Sequence, residues 1–358
     1  MKTEICPMTT KEERRPAILR AAKLLREGKL VAFPTETVYG LGGNGLDPQA
    51  SSRIYAAKGR PSDNPLILHI SDRSELSPLV KRIPEAAVRL MDAFWPGPLT
   101  LIFEKSERVP DESTGGLNTV AVRFPSHPVA QELIREAGVP VAAPSANLSG
   151  HPSPTTAEHV AEDLSGRVDM ILDAGPVEIG LESTIIDVTG ETPLILRPGY
   201  ISLEQMREVL GQGDFDPAIL GKPDPNLRPK APGMKYRHYA PKAELTIVEG
   251  DTEAVVKAIA ALAGEKKALG FRVGILCPEE SRGRYDASLV KTVGTRADEK
   301  TIAHNLYRCL REFDEEEAEY VFSEAFSDGP LGAAIMNRLV KAAGYRVLPA
   351  GGEDENLS

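Results

Sequence analysis

Lys58 and Arg60 stand on either side of a glycine in AAKGRPSDNP, and Arg123 closes the run Thr119-Val-Ala-Val-Arg123. Lysine brings a point charge and arginine a planar fork of donors, which together suit phosphate or carboxylate. Pro61, Asn64 and Pro65 hold the first pair in a fixed turn. Hydroxyls and amides accompany these cations: Thr35, Thr37 and Tyr39 in PTETVYGLG, Ser145 and Asn147 in PSAN, Ser183 and Thr184 in ESTIID, with Arg197 closing LILR. Each group sits beside the end of an apolar run, where open α/β sheets place ligand contacts. A site for a phosphorylated or carboxylated small molecule is suggested.

Every one of these residues also has a plain structural reading. Lys58 and Arg60 can be cations favoured at a helix C-terminus, and Ser145 and Asn147 can cap the next segment. His69, between Leu68 and Ile70, can be a satisfied, half-buried histidine. The repetition of such groups at several strand ends favours the site. Other chemistries fall away. Gly40, Gly42 and Gly45 match G-x-G-x-x-G, yet PTETVY separates the preceding apolar run from Gly40, whereas a dinucleotide loop follows its strand at once. The glycines are expected to form a loop that lets the chain turn between Thr35 and the next helix. No P-loop, HExxH, Cys/His cluster or GxSxG elbow occurs. A metal is expected only as Mg2+ carried by nucleotide phosphates.

The elements that must position these groups alternate. Helices are expected over 16–27 with Pro16 at its first position, 48–57 with Asp47 as cap, 84–94, 128–137, 156–164 and 202–210. Strands are expected over 30–33, 66–70, 99–103, 120–123, 139–143, 168–172, 183–188 and 194–197. Some strands follow one another directly, so the sheet should be mixed α/β. Residues 211–243 hold six prolines and no sustained periodicity, and carry a net +3 between segments of −6 (1–210) and −7 (244–358). A basic linker between two acidic domains could lie over an anionic ligand. The last third has strands expected at 245–248, 273–277, 287–293 and 320–323, with helices at 252–263, 297–311 and 331–343. That rhythm indicates a small doubly wound parallel domain, Rossmann-like, with residues 349–358 as a frayed tail.

Bulk properties agree. A chain of 358 residues with 41% apolar composition supports two cores. Aromatic residues make up 5%, too few for a base-stacking surface, and a formal charge of −10 argues against a whole-surface nucleic-acid footprint. Three distant cysteines fit a reducing cytosol, and no apolar run reaches a membrane-spanning length of about 18 residues. A soluble, cytoplasmic protein is expected.

The segments PTETVYGLG, AAKGRPSDNPLILHI, WPGPLT, TVAVRFPSHP, PVAAPSANLSG, ESTIID and LRPG, in this order, closely resemble the threonylcarbamoyl-AMP synthase family with its YrdC-like catalytic domain. APGMKYRHYAP and GAAIMNR resemble the longer, two-domain members. The resemblance implies a YrdC-like mixed twisted sheet with an open concave site (1–210), a Pro-rich basic linker or lid (211–243) and a C-terminal α/β domain (244–348). It implies a nucleotidyltransferase that condenses L-threonine, bicarbonate or CO2 and ATP into threonylcarbamoyl-AMP and pyrophosphate. A separate transferase would use the adenylate to make threonylcarbamoyladenosine in tRNA, so tRNA would be met only indirectly.

By the same resemblance, Thr35, His69 and Ser183 contact threonine. Lys58, Arg60, Ser62, Thr119, Ser145, Asn147, Arg197 and Tyr236 serve ATP, with Arg123 where the two substrates meet. Lys235 to Tyr239 would form a lid that shields a hydrolysable intermediate from water. Two other classes stay open on sequence: a double-stranded-RNA-binding YrdC-like factor, and a relative that transfers carbamoyl groups from carbamoyl phosphate.

Overall fold

The sequence suggests Pro16 as the first helical residue, but the first helix runs Lys11–Arg26 with Pro16 inside it. Thr10 is the reason. Its hydroxyl accepts from Glu13 N at 3.2 Å while the Glu13 carboxylate accepts from Thr10 N at 3.1 Å, so two orphan donors are met ahead of the proline. The computed structural model describes residues 2–8, 10–219, 221, 229–234, 239–286 and 289–351. Tyr236 and most of the expected lid therefore lie outside the described residues, as do 287–288 and most of the expected tail. The chain divides into two compact units, Met1–Ser149 with Ser153–Tyr236, and Gly150–Pro152 with Arg237–Ser358.

The strands of the first unit are β1 (Glu4–Pro7), β2 (Val31–Pro34), β3 (Tyr39–Asn44), β4 (Ile67–His69), β5 (Leu99–Glu104) and β6 (Thr119–Arg123). They continue with β7 (Val141–Ala142), β8 (Met170–Asp173), β9 (Thr184–Asp187), β10 (Leu194–Arg197) and β11 (Asp214–Phe215). Among the described residues they form one mixed 11-stranded sheet in the order β1-β8-β2-β3-β7-β4-β6-β5-β9-β10-β11. The mixed sheet expected from sequence is present. Its glycine loop is not: Tyr39–Asn44 is a strand that pairs antiparallel with β2. Packing explains the glycines. A Cβ on Gly42 would stand 2.8 Å from the Phe33 ring and 2.9 Å from Val141, and one on Gly45, just past β3, 2.6 Å from Leu68.

Alternation along the strands gives the sheet two different faces. Leu68, Leu101, Val120 and Val122 point into the main core with Ile54 and Leu90. On the opposite face, helices Lys11–Arg26 and Pro128–Ala137 cover the half built around β8, β2 and β7 through Ile18, Leu25, Leu133 and Ile134. Beyond β7 that face carries Ile67, Ile102, Ala121, Ile185 and Leu196, against which Ala231 and Met234 pack. The stretch 211–243, expected as linker, thus contributes both β11 and a covering segment to this unit.

In the second unit β12 (Glu244–Glu249), β13 (Val273–Cys277), β14 (Leu289–Thr292), β15 (Tyr320–Glu324) and β16 (Val347–Pro349) form a parallel sheet in the order β14-β13-β15-β12-β16. Helices Thr252–Ala268, Glu299–Glu315 and Gly332–Ala342 connect the strands. The doubly wound domain expected from the sequence is what these residues build. No helix among the described residues is long and apolar enough to cross a membrane.

Candidate active site

Strand register assembles the first half of the site. The parallel pairing of β4 and β6 sets His69 beside Arg123, and the antiparallel pairing of β5 and β6 sets Thr100 on Arg123's other side. Ser183, just before β9, meets Thr100 with their hydroxyl oxygens 2.8 Å apart. Arg197 completes the group: Nε and Nη2 donate to Ser183 O at 3.1 and 3.0 Å, and Nη2 donates to Ser183 Oγ at 3.1 Å. His69, Thr100, Arg123, Ser183 and Arg197 are all buried.

Arg123 is anchored unevenly. Its Nη2 donates to Glu36 Oε1 at 2.6 Å and its Nη1 to Thr37 Oγ1 at 2.9 Å. Nε is buried with no partner. An orphaned buried donor costs about 1–3 kcal/mol, a cost that a bound acceptor removes. Burial first, and the Arg123 charge second, hold the His69 imidazolium pKa far below its ordinary value, at about 3. The ring is therefore neutral near pH 7. Its Nδ1 lies 3.1 Å from Ile67 O.

Thr35 serves the turn itself. Its hydroxyl donates to Val38 O at 2.7 Å and accepts from the backbone N of Thr37 and Val38 at 3.2 and 3.3 Å. Thr37 Oγ1 lies 2.8 Å from Thr35 Oγ1, and with the Thr35 proton already given to Val38, Thr37 is the donor. The β2–β3 turn is thereby a rigid platform under the Arg123 guanidinium.

The second half lies toward the other end of β4. Asp47 caps helix Pro48–Lys58, as the sequence suggests, and Gly59 at φ 61° ends it. That left-handed residue parts the two cations, Lys58 reaching the loop after β7 and Arg60 the turn before β4. Lys58, 2% exposed, donates through Nζ to the backbone oxygens of Ser145 and Asn147, the latter at 2.5 Å. Arg60 donates to Pro65 O at 3.1 Å and, more weakly, to Asn64 O at 3.4 Å. The fixed turn inferred from Pro61, Asn64 and Pro65 is thus the seat of the Arg60 guanidinium. Thr119, half-buried, shares the Arg123 face of β6 at its opposite end, about 13 Å away at a strand rise of about 3.3 Å per residue. Ser62 is exposed.

Of the residues singled out in the sequence, His69, Arg123, Ser183 and Arg197 are joined by register and hydrogen bonds, and Lys58 reaches the loop that carries Ser145 and Asn147. Thr119 lies at the far end of β6, Ser62 is exposed, and Tyr236 lies outside the described residues. Glu36, Thr100 and Ser126 were missed. Glu36 left a signal: a carboxylate in a turn between two buried strands must find a partner. Among the described residues no cluster of three or more His, Cys, Asp or Glu forms a metal cage. The chemistry of the donors, which are cations, hydroxyls and amides, suits metal-borne phosphates rather than a resident ion.

Known proteins resemble this chain over most of its length. Residues 23–199 match the Sua5/YciO/YrdC family model, described as "Telomere recombination". Residues 201–344 match the model described as "Threonylcarbamoyl-AMP synthase, C-terminal domain". The chain is 52% identical over 334 residues to the threonylcarbamoyl-AMP synthase of Bacillus subtilis, covering 93% of this chain and 94% of the relative. It is 51% identical over 328 residues to that of Pyrococcus abyssi, covering 92% and 94%. The crystal structure of P. abyssi Sua5 complexed with L-threonine superposes with a TM-score of 0.91 at 48% identity, covering 98% of this chain and 99% of that one.

Proposed function

The chain belongs to the threonylcarbamoyl-AMP synthase family, and from that premise we propose how its first sheet makes the adenylate. The unprotonated amine of L-threonine adds to CO2, which bicarbonate supplies by losing hydroxide. The N–H proton released as the C–N bond forms combines with that hydroxide to give water and leave a carbamate anion. A carbamate oxygen then attacks the α-phosphorus of ATP as the bond to the bridging oxygen breaks, releasing pyrophosphate. Attacker and electrophile are both anionic, so the protein's task is to neutralise charge and hold geometry. A carbamate is already a nucleophile, and no general base is needed for the attack.

Threonine is assigned to the end of the sheet where Thr35, His69, Ser183 and Arg123 meet, the Thr35 turn acting as the floor beneath it. With His69 neutral, the charged groups at this end are Arg123 and its partner Glu36, and Nε of Arg123 is the donor assigned to the substrate carboxylate. Arg197, bonded to Ser183, faces the α-phosphate where the substrates join. Lys58 and Arg60 take the pyrophosphate, with Ser145, Asn147, Ser62, Thr119 and Tyr236 around the nucleotide. Mg2+ carried in with ATP would neutralise phosphate charge. Ala231 and Met234 pack over Ile67, Ile102 and Ala121, which supports a water-excluding role for Lys235 and Tyr236 that follow. Tyr239 is instead buried against Tyr307 within the second unit. Three free, buried cysteines accord with a reducing cytoplasm. The product is expected to pass to a separate transferase acting on tRNA.

The observation that carries this reading is the buried group of His69, Thr100, Arg123, Ser183 and Arg197, joined by register and hydrogen bonds, in which Arg123 Nε has no partner. The test is pyrophosphate release from ATP. Release is expected only when L-threonine and bicarbonate are both present, and release without threonine, or with carbamoyl phosphate in place of both, would refute it.

A further inference from the structure

Glu36 has no task in the reaction just described, yet it is a buried, fully engaged carboxylate. It is 5% exposed, and both of its oxygens are used. Oε1 accepts from Arg123 Nη2 at 2.6 Å, and Oε2 accepts from Ser126 N at 3.2 Å. Its backbone oxygen accepts from Ile179 N at 2.8 Å, while Thr37 O accepts from Gly180 N at 3.0 Å. Glu36 thus ties three stretches together: the β2–β3 turn, the loop after β6, and the segment that leads to Ser183.

The consequence falls on Arg123. With Nη2 on Glu36 and Nη1 on Thr37, the planar guanidinium can neither rotate nor withdraw without breaking two charge-assisted or buried bonds. Nε is the one nitrogen left, buried and unpartnered. A clamp on two nitrogens that leaves a third donor unsatisfied is a poor way to stabilise a fold and a good way to hold a donor in readiness for an anion. A carboxylate oxygen is an acceptor that would satisfy this donor.

We propose that Glu36 is a positioning residue, which clamps Arg123 so that its Nε stays aimed at the carboxylate of the threonine-derived substrate. The inference rests on the assignment of Arg123 to the threonine end made above. Because Lys58 and Arg60 are seated by other elements, loss of the clamp should affect threonine and spare ATP.

The test compares dissociation constants of the full-length wild type and Glu36→Gln for L-threonine and for ATP, by calorimetry. Glu36→Gln is expected to weaken L-threonine about tenfold or more, the scale on which outer-shell partners act, and to leave ATP within about twofold. Glu36→Asp, which keeps the charge, should recover part of the loss, and it carries the same comparison if Glu36→Gln does not fold. In an Arg123→Gln background the Glu36 substitution should add no further loss of threonine affinity. Equal weakening of both ligands, no weakening of either, or an undiminished Glu36 effect without Arg123 overturns the proposal. Wild type that binds no L-threonine overturns the functional reading as well, so the two failures are distinct.

Discussion

In the C-terminal unit Glu324 lies fully buried at the end of β15, with the Tyr285 hydroxyl on one oxygen at 2.9 Å and Arg296 Nη2 on the other at 2.9 Å. In the N-terminal unit Arg123 is nearly as buried at the end of β6, but its Nε has no partner. Both groups sit at strand ends of α/β sheets. The chain leaves β13 toward β14 and leaves β15 toward β16 on the opposite side. The crevice between β13 and β15 is therefore the switch point where such sheets usually bind ligands. Glu324, Tyr285 and Arg296 fill it with bonds among themselves. Topology names a place where a ligand can sit; donors left open, or held only by carbonyls, mark the place proposed for one here.

Three substitutions put pressure on that contrast. The largest effect is expected from Lys58→Ala, which should cut adenylate formation by about 10²–10³-fold, as loss of one transition-state donor does. Because Nζ also bridges the oxygens of Ser145 and Asn147, stability should fall as well, by about 1–3 kcal/mol. Steady-state rates and urea unfolding measure the two. A variant that loses stability but retains full activity would make Lys58 a brace and weaken the contrast.

Glu324→Ala should do the reverse, leaving kcat/KM for adenylate formation within about twofold while destabilising the C-terminal unit. Breaking a fully buried pair costs about 3–5 kcal/mol. Arg296 is 29% exposed and retains Asp328 at 3.3 Å, so about 2–3 kcal/mol is expected here. A large fall in kcat/KM below the unfolding transition would mean that the second sheet acts in the reaction.

The smallest effect is a pH dependence from His69. Its folded pKa of about 3 lies below the ordinary 6.5. As pH falls below about 6.5 the unfolded chain takes up the proton and the folded chain does not, so stability is lost on acidification and recovered as pH rises. The slope is about 1.4 kcal/mol per pH unit, or about 2 kcal/mol between pH 7 and 5. Unfolding free energies at those two pH values should therefore diverge less in His69→Gln than in wild type. Identical slopes would show that His69 is charged or solvated in the fold.

Much of this was legible in the sequence because it is local. Helix Pro128–Ala137, with Pro at its start and Gly138 at its end, and strands β10 and β13 fall where composition and punctuation put them. The site residues were legible because polar groups interrupt apolar runs. What could not be read is pairing. β1 is four residues long and pairs with β8, far along the chain, and the two-residue β11 has no pattern of its own. β3 looks like a loop because its glycines answer to Phe33 and Val141 across the sheet, not to a turn. Register also decides that His69, Arg123 and Thr100 share one face. Glu36 was passed over because its partner Arg123 is remote in sequence.

The most direct test is a crystal structure with L-threonine and a non-hydrolysable ATP analogue bound. The account predicts the threonine carboxylate on Arg123 Nε, its neighbour Ser183 in contact with the same molecule, and the terminal phosphates on Lys58 and Arg60. Either ligand lodged in the crevice between β13 and β15, or threonine bound with Arg123 Nε still unpartnered, would contradict it.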